Sequence, residues 1–355
     1  MAVAGILFLI PISWYELTWM LLAGISDRHL HFAFLVTSLT QFPINSHWIT
    51  AMQFAINAAR AIILATLVFS GCSESPDHSG PVYSAGRADE DTYAYRLAVH
   101  PLHNPAKLVE AYQPLIDDLN GKIDRCRFVL EASRDYAAYE AKFKKGNLQF
   151  LLPNPWQTLE AMALGYRVIA MAGEAKDFKG IFIVRKDAAI QTPLDLKGQR
   201  VSYPAPTALA ACMMPQYFLF SHGLDINVDI RNLYVGSQES AIMNAYTGQS
   251  AVGATWPPPW RAFQKDRPRE AGALRVIWET PPLINNSVMA HRDVGADIVA
   301  QVRQVLLDLH KTAEGMKILK GMETSRFFPA TDRDYEVVGR FIETFEKNVR
   351  AVVHE

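Results

Sequence analysis

The sequence predicts an α/β protein in which two series of alternating strands and helices follow one another along the chain. From Tyr95 onward, short apolar runs of strand length alternate with segments whose apolar residues recur at helical spacing. This alternation favours mainly parallel sheets, with ligand crevices at the carboxyl ends of the strands. The length of 355 residues suggests about two domains, and an apolar content of 50% is typical of a globular protein.

The first series opens with a strand predicted over Tyr95–Val99. Asn104 and Pro105 then provide an N-cap followed by proline at the first helical position, and helical spacing continues to Leu119. The other elements of this series are predicted as strands over 127–131, 148–152, 168–172 and 181–184, and as helices from Ser133 to Gly146 and over 156–164.

The second series is of similar size, which indicates two lobes. Its predicted strands cover 200–203, 232–235, 251–255 and 275–279, and its predicted helices cover 207–222 and 238–247. Gly223 and Gly248 are placed to end the two helices. Three consecutive prolines over 257–259 predict a stiff loop, and the remaining tail is predicted as helices over 298–310, 315–319 and 335–352.

The apolar N-terminal region carries targeting signals. Arg60 precedes a short apolar run over 61–69, which is too short to cross a bilayer and therefore predicts a signal peptide over 52–72. The residues before Cys72 resemble a lipoprotein cleavage box, so we expect Cys72 to be lipidated, the alternative being ordinary export with an incidental cysteine. Residues 1–51 are then a mis-assigned extension, and the polar segment 73–93 is a flexible tether.

Several classes of protein are disfavoured by composition and motif. The net charge of −1 gives no indication of nucleic-acid binding, and three cysteines are too few for a disulfide scaffold. His100 and His103 have metal-ligand spacing without a third ligand, and Cys126 and Cys212 are expected in different lobes. The sequence contains none of the hydrolase or nucleotide-binding motifs sought. We therefore expect that the protein is not an enzyme and that it binds neither a cofactor nor a metal.

Four segments resemble the phosphate/phosphite/phosphonate-binding protein family of type 2 periplasmic binding proteins. They are RDYAAYEAKFKKGNLQFLLPNPW, VGSQESAIMNAYTGQSAVGA, VIWETPPLINNSV and FFPATDRDY, and IFIVRKDA with TPLDLKGQRVSY resembles the segment that crosses between lobes. The resemblance, from about Tyr95 to Tyr335, implies a two-lobed Venus-flytrap receptor with hinge strands. Lobe 1 would be residues 94–183 and 281–355, and lobe 2 residues 184–280.

The resemblance implies that the chain captures a small oxyanion-like solute by lobe closure and passes it to an ABC permease. In the family, a run of hydroxyl residues at a helix N-terminus cradles the anion; here Ala208, Leu209 and Ala210 stand at those positions, and only Thr207 keeps a hydroxyl. Family tyrosines match Phe150 and Trp156, and a family acid matches Asn286. These departures predict a more aromatic crevice and a solute other than a standard phosphonate.

The candidate ligand-binding residues come from both predicted lobes. They are His100, Tyr136, Phe150, Asn154, Trp156, Tyr203, Thr207, Ala208, Ser237, Gln238, Glu239, Trp256 and Asn286. Trp156, Trp256 and Trp260 either form an aromatic cage for a cation or pack within the lobes.

The expected partners follow from the same resemblance. We expect a monomer held by a lipid anchor in the periplasm or at the outer face of the cytoplasmic membrane. Its partner would be a permease in that membrane, or, in the alternative of a ligand sensor, a membrane histidine kinase.

Overall fold

Two β-sheets flanked by helices make up residues 94–352, which are the residues that this computed structural model describes. The expectations for the extension 1–51, the signal peptide with Cys72, and the tether 73–93 concern residues outside that range. Among the helices of residues 94–352, none has the length and apolar character needed to cross a membrane.

The strands and helices are numbered here in chain order. The strands are β1 (Ala94–Val99), β2 (Arg127–Glu131), β3 (Phe150–Leu152), β4 (Tyr166–Ala172), β5 (Ile181–Arg185), β6 (Arg200–Tyr203), β7 (Arg231–Tyr234), β8 (Val252–Thr255), β9 (Leu274–Glu279), β10 (Ser287–His291) and β11 (Phe327–Phe328). The α-helices are α1 (Pro105–Lys122), α2 (Tyr136–Lys144), α3 (Pro155–Ala163), α4 (Met214–Ser221), α5 (Gln238–Thr247), α6 (Pro257–Asp266), α7 (Pro268–Gly272), α8 (Ala296–Asp308), α9 (Ala313–Gly321) and α10 (Glu336–Asn348).

The first lobe is built on a six-stranded sheet in the order β11-β4-β10-β3-β1-β2. Strand β1 pairs in parallel with β2 and β3, as the alternation of strands and helices predicts. Helix α1 begins after Asn104, whose side chain accepts a hydrogen bond from the Lys107 amide, and its buried face includes Leu108, Leu115 and Leu119. That apolar face covers the sheet and fixes the carboxyl ends of β1 and β3 at one edge of the lobe.

The second lobe is built on a five-stranded sheet in the order β7-β6-β8-β5-β9. Strand β6 pairs in parallel with β7 and β8, whereas β5 runs antiparallel to both β8 and β9. In the first lobe, β10 is likewise antiparallel to β3 and β4. The expectation of mainly parallel sheets therefore fails at β5 and β10, by which the chain enters each sheet from the other lobe, and also at β11, which is antiparallel to β4.

The chain crosses between the lobes twice, over 173–180 and over 280–286. The predicted boundary after residue 183 is wrong, because β5 begins at Ile181 and belongs entirely to the second sheet. The two crossings are hydrogen-bonded to each other: the Gly180 amide donates to Thr280 Oγ1, and the Thr280 amide donates to the Gly180 carbonyl, both at 2.9 Å. The amide of Leu283 also donates to the carbonyl of Phe178 at 2.8 Å.

Local structure differs from expectation near the prolines and at the start of the helix predicted over 207–222. The prolines over 257–259 open helix α6 instead of a stiff loop, because proline in the first turn gives up only an N–H that has no helical partner. The segment Leu209–Met213 is a π-helical turn that leads into α4. Helix α2 is capped by Asp135 and not by Ser133. Strands β10 and β11 are not predicted from the sequence.

Candidate functional site

A buried polar cluster joins the two lobes at Thr207, which follows β6. The Thr207 hydroxyl donates a hydrogen bond of 2.8 Å to Glu140 Oε1 on helix α2 of the first lobe. The Thr207 carbonyl accepts a hydrogen bond of 3.1 Å from Asn154 Nδ2, also from the first lobe. All three residues are only 3% exposed, so these contacts form in a region of low dielectric constant.

Helix capping positions the first-lobe side chains of this cluster. Asn154 caps α3 in a capping box: Asn154 Oδ1 accepts from the Gln157 amide at 3.0 Å, and Gln157 Oε1 accepts from the Asn154 amide at 3.1 Å. The capping box uses only the side-chain oxygens of Asn154 and Gln157, so their side-chain N–H groups are available for other partners. Asn154 Nδ2 donates to the Thr207 carbonyl, and Gln157 Nε2 donates to Glu140 Oε1 at 3.0 Å. Glu140 therefore receives hydrogen bonds from both lobes.

A second contact between the lobes involves Gln238, the first residue of α5. Gln238 Nε2 donates to the Tyr136 hydroxyl oxygen at 3.1 Å, and Gln238 Oε1 accepts from the Thr255 hydroxyl at 2.8 Å. Burial raises the pKa of Tyr136, which keeps its hydroxyl neutral. Tyr136 in turn packs edge-on against the ring of His100, with the ring centroids 6.2 Å apart.

His100 is fixed as a neutral imidazole at the carboxyl end of β1. Its Nδ1 lies 3.0 Å from the carbonyl oxygen of Leu152, to which it can donate a hydrogen bond. Burial lowers the pKa of His100 to about 4, despite the opposing effect of that hydrogen bond. His103 lies three residues later, and burial, Lys107 and His100 lower its pKa to about 3. Neither ring supplies positive charge to the crevice at neutral pH.

The turn after Thr207 presents backbone N–H groups near the cluster. The amides of Cys212 and Met213 both bond to the Ala208 carbonyl, at 2.7 and 3.3 Å. By helix geometry, the N–H groups of Leu209, Ala210 and Ala211 precede the first intrahelical bonds and are available to a ligand. Ala208, one of the predicted site residues, thus lies in the turn as expected, though its side chain is apolar.

Arg350, in the segment after α10, holds the turn 207–213 through hydrogen bonds to residues on either side of it. Its Nη2 donates to the Pro206 carbonyl, and its Nε donates to Gln216 Oε1, both at 2.8 Å. The charge of Arg350 also lies 3.7 Å from Cys212 Sγ, but burial dominates and raises the pKa of that thiol to about 12. The turn is therefore held in position by a residue that lies 134 to 144 places away in the sequence from its partners.

The structure places Phe150 in the core of the first lobe and not in the crevice. Its ring contacts those of Tyr95 and Phe128, with centroid distances of 5.9 and 5.8 Å. Phe150 is the first residue of β3, so it lies at the end of the strand opposite the carboxyl edge where Asn154 follows. The prediction that Phe150 contacts the ligand is wrong for this reason.

The structure separates Trp260 from the other two tryptophans of the predicted cage. Trp256 packs its ring against Phe178 at 5.5 Å, and Trp260 stacks on Phe263 at 5.8 Å. Trp260 belongs to an apolar cluster of the second lobe that contains neither Trp156 nor Trp256. The packing alternative therefore describes Trp260, whereas Trp156 and Trp256 share one apolar cluster and Trp256 also lines a cavity between the lobes.

Three further predicted residues have local roles in the second lobe. Ser237 caps α5 by accepting from the Ser240 amide at 3.1 Å. Glu239 is partly exposed and pairs with Arg267 at 2.6 Å. Tyr203 is fully buried with its ring 6.0 Å from that of Tyr234, and burial raises its pKa. None of the three belongs to the Thr207 cluster.

Sequence reasoning did not identify Glu140, Gln157, Thr255 and Arg350. Glu140 carries a signal in the sequence, because it lies four residues after Tyr136 and on the same buried face of α2. A charged residue on an otherwise apolar helix face indicates a specific partner. Arg350 carries no comparable signal, since its partners are far away in sequence.

Comparison with known protein families gives a match over residues 97–335, most of the described region. The matching family is described as the periplasmic substrate-binding protein of phosphonate ABC transporters. The chain belongs to this family. The assignment confirms the prediction of a solute-binding protein of the phosphonate type, as opposed to an enzyme.

One curated relative is a probable ABC transporter phosphite-binding protein, PhnD1, from Prochlorococcus marinus strain MIT 9301. It is 25% identical over 189 residues, which cover 49% of this chain and 64% of the relative. The chain thus matches slightly less than two thirds of that relative's length.

Two solved structures share the fold. A binding-protein component of an ABC phosphonate transporter from Pseudomonas aeruginosa has a TM-score of 0.68 at 16% identity, over 73% of this chain and 88% of its own. PhnD1 from Prochlorococcus marinus in complex with methylphosphonate has a TM-score of 0.66 at 21% identity, over 72% of this chain and 98% of its own. These similarities confirm the predicted two-lobed fold of periplasmic binding proteins.

Proposed function

We propose that this chain is the solute-binding component of a phosphonate-type ABC transporter and captures a small oxyanion-like solute by closing its two lobes. The supporting observation is the Thr207 cluster, in which Thr207 of the second lobe is bound by Asn154 and Glu140 of the first. Side chains from two lobes that meet around one turn rich in N–H donors form a site that exists only when the lobes are closed.

The solute's anionic group would lie at the turn formed by 207–213. The N–H groups of Leu209 to Ala211 supply donors there. The single proton of the Thr207 hydroxyl is donated to Glu140, so the hydroxyl oxygen is left to accept a hydrogen bond from the solute. Glu140 places a carboxylate 2.8 Å from that hydroxyl, and this like charge opposes the binding of an anion. The site therefore favours a small oxyanion that also carries a hydrogen-bond donor over an oxyanion that offers acceptors alone.

Export and anchoring complete the proposal. Cys72 would carry the lipid, and residues 73–93 would connect the anchor to the lobes, which would then work as a monomer outside the cytoplasmic membrane. The permease partner would receive the solute when the lobes open. Replacement of Cys72 by Ser should abolish incorporation of a radiolabelled fatty acid, and unchanged labelling would contradict the anchor.

A thermal-shift screen of the full chain in a mild detergent tests solute capture. The probes are phosphate, phosphite, methylphosphonate, sulfate and arsenite, with choline as a cationic comparison. A ligand present at about 100 times its Kd should add about 2.7 kcal/mol to the free energy of unfolding and raise Tm by several degrees. A shift with choline and none with any oxyanion would contradict the proposed function.

A further inference from the structure

The segment that follows α10 ties the first lobe to the second. Helix α10 packs against α3 of the first lobe, and the ring of Phe341 on α10 contacts that of Tyr217 on α4 of the second lobe, with the centroids 5.6 Å apart. Beyond the helix, the Val349 carbonyl accepts a hydrogen bond of 2.9 Å from Asn227 Nδ2 in the second lobe. We call residues 349–352 the C-terminal segment. It links the lobes in addition to the two crossings.

Arg350 of the C-terminal segment is a cation whose hydrogen-bond partners within residues 94–352 are all neutral. Its Nη2 donates to the Pro206 carbonyl and its Nε donates to Gln216 Oε1, both at 2.8 Å, and its Nη1 donates to the Ala351 carbonyl at 3.1 Å. Its guanidinium also lies over the ring of Phe345, 5.2 Å from the centroid. Because a guanidinium stays protonated, this segment brings a positive charge to the start of the turn 207–213.

The hydrogen bond to the Pro206 carbonyl acts on the peptide group that opens the turn. The Pro206 carbonyl and the Thr207 amide belong to one peptide group, so a guanidinium on the oxygen polarises the N–H as well. The amides of Thr207 and Leu209 donate to no backbone carbonyl within residues 94–352, and both residues are buried. Buried N–H groups without a partner indicate an acceptor from outside the chain.

Arg350 and Glu140 bring opposite charges to the same turn. Glu140 accepts from the Thr207 hydroxyl at 2.8 Å, whereas Arg350 donates to the carbonyl of the residue before Thr207. The low pKa values of His100 and His103 leave both rings neutral at pH 7. Among the side chains of residues 94–352 that form hydrogen bonds with the segment 206–213, Arg350 is therefore the only cation.

We propose that Arg350 is a positioning residue for solute capture and that its charge gives the N–H donors of the turn 207–213 their affinity for an oxyanion. The inference rests on the proposed function, because an oxyanion at this turn is what the charge would attract. Arg350 acts through the peptide group between Pro206 and Thr207 and does not itself contact the solute. The C-terminal segment thereby couples the packing of α10 to the affinity of the turn.

Isothermal titration of the full chain in a mild detergent with phosphite and methylphosphonate tests the proposal. Arg350→Gln removes the charge and keeps an amide that can donate to Pro206, and we expect the Kd to rise at least tenfold. Arg350→Lys keeps the charge and loses the planar fork, and its Kd should lie within about threefold of that of the unaltered chain. Arg340→Gln, the same change at an exposed position of α10, should leave the Kd unchanged.

A purely structural role predicts a different order of affinities. Neither Gln nor Lys reproduces the two hydrogen bonds that the guanidinium makes across the lobes, so equal weakening by Arg350→Gln and Arg350→Lys would overturn the role of the charge. An unchanged Kd in Arg350→Gln would overturn it as well. Both results leave the proposed function intact. If the unaltered chain binds neither probe, nor phosphate, then the proposed function fails and the role of Arg350 fails with it.

A second variant neutralises the charge without removing Arg350, which keeps the test valid if Arg350→Gln folds poorly. Gln216→Glu places a carboxylate where Gln216 Oε1 accepts from Arg350 Nε, and this carboxylate can also accept from the nearby Tyr234 hydroxyl. The new ion pair should hold the C-terminal segment at least as firmly while it offsets the charge at the turn. We expect the Kd for phosphite to rise at least fivefold. An unchanged or lower Kd would show that Arg350 only fastens the segment and would overturn the proposal.

Discussion

Glu140 dominates the chemistry of the site at the scale of single residues. Thr207 is the only hydroxyl residue in the segment 207–213, and its hydroxyl donates to the buried side chain of Glu140 from the opposite lobe. Glu140 links the lobes through Thr207 and Gln157, and in its ionised form it would also repel an incoming anion. We expect the balance between these two effects to set the affinity for solute.

Replacing Glu140 by Gln should strengthen the binding of simple oxyanions. The amide can still accept from the Thr207 hydroxyl, but the negative charge is removed, which is worth about 1–3 kcal/mol at a distance of several ångströms in a partly shielded site. The Kd for phosphite or methylphosphonate in isothermal titration should fall by about ten- to hundredfold. Glu343→Gln, an exposed change on α10, is the control, and equal Kd values in the two variants would contradict the role of Glu140.

His100 predicts how stability depends on pH. Its folded-state pKa of about 4 lies below the unfolded value of 6.5, so between these pH values only the unfolded chain takes up the proton. The free energy of unfolding should therefore fall as the pH drops through this window, with His100 contributing about 2 kcal/mol of loss at pH 5.

Chemical denaturation at pH 7 and pH 5 measures this effect. In His100→Asn, where the amide can still donate to Leu152, the loss between the two pH values should be smaller by about 2 kcal/mol than in the unaltered chain. His222→Asn is the control, because His222 is exposed on the second lobe. An unchanged pH dependence in His100→Asn would rule out His100 as the source.

At the scale of elements, two asparagine caps of the first lobe allow local stability to be separated from lobe closure. Asn104 caps α1 on the exposed surface, whereas Asn154 caps α3 and also donates to Thr207 in the second lobe. Loss of either cap should cost about 1 kcal/mol of unfolding free energy.

Only Asn154→Ala should also weaken solute binding. We expect its Kd for methylphosphonate to rise at least fivefold, while Asn104→Ala leaves the Kd unchanged. Urea denaturation and isothermal titration of both variants make the comparison. If Asn104→Ala and Asn154→Ala changed the Kd by the same factor, the hydrogen bond from Asn154 to Thr207 would not contribute to solute binding.

Elements with strong local signals were predictable, and those fixed by distant contacts were not. The cap of α1 was identified from Asn104 and Pro105, and the structure has the helix beginning there. The short β11 and the π-helical turn Leu209–Met213 depend on tertiary partners and leave no periodic pattern. For α6, the proline run was interpreted as a loop although proline is equally suited to a helix start.

The same distinction applies to the site. Thr207, Asn154, Tyr136 and Gln238 were reached through the resemblance to a family, and the structure brings them together between the lobes. Phe150 is predicted wrongly because the resemblance assigns positions in the sequence, whereas in the structure Phe150 opens β3 at the end opposite the carboxyl edge. Glu140 is not predicted because its partners Thr207 and Gln157 come next to it only in the tertiary structure.

At the scale of the whole molecule, two hydrogen-bonded crossings and one buried cluster define a pair of lobes that act on one site. Gly180 shows how closely the crossing and the site are connected, since a Cβ at this position would lie 2.6 Å from the Ala210 carbonyl of the turn. The backbone that joins the lobes is thus packed directly against the backbone that presents the N–H donors. Movement of the lobes and occupation of the turn should therefore be coupled.

The most direct test of this account is isothermal titration of the full chain and its Thr207→Val variant with phosphite, phosphate, methylphosphonate and 2-hydroxyethylphosphonate. The account predicts that the unaltered chain binds at least one of these oxyanions and that Thr207→Val weakens that binding at least tenfold. Thr247→Val, which removes an exposed hydroxyl from α5, should leave the Kd unchanged. Absence of binding to all four oxyanions, or equal affinity in Thr207→Val and the unaltered chain, would contradict capture of an oxyanion at this turn.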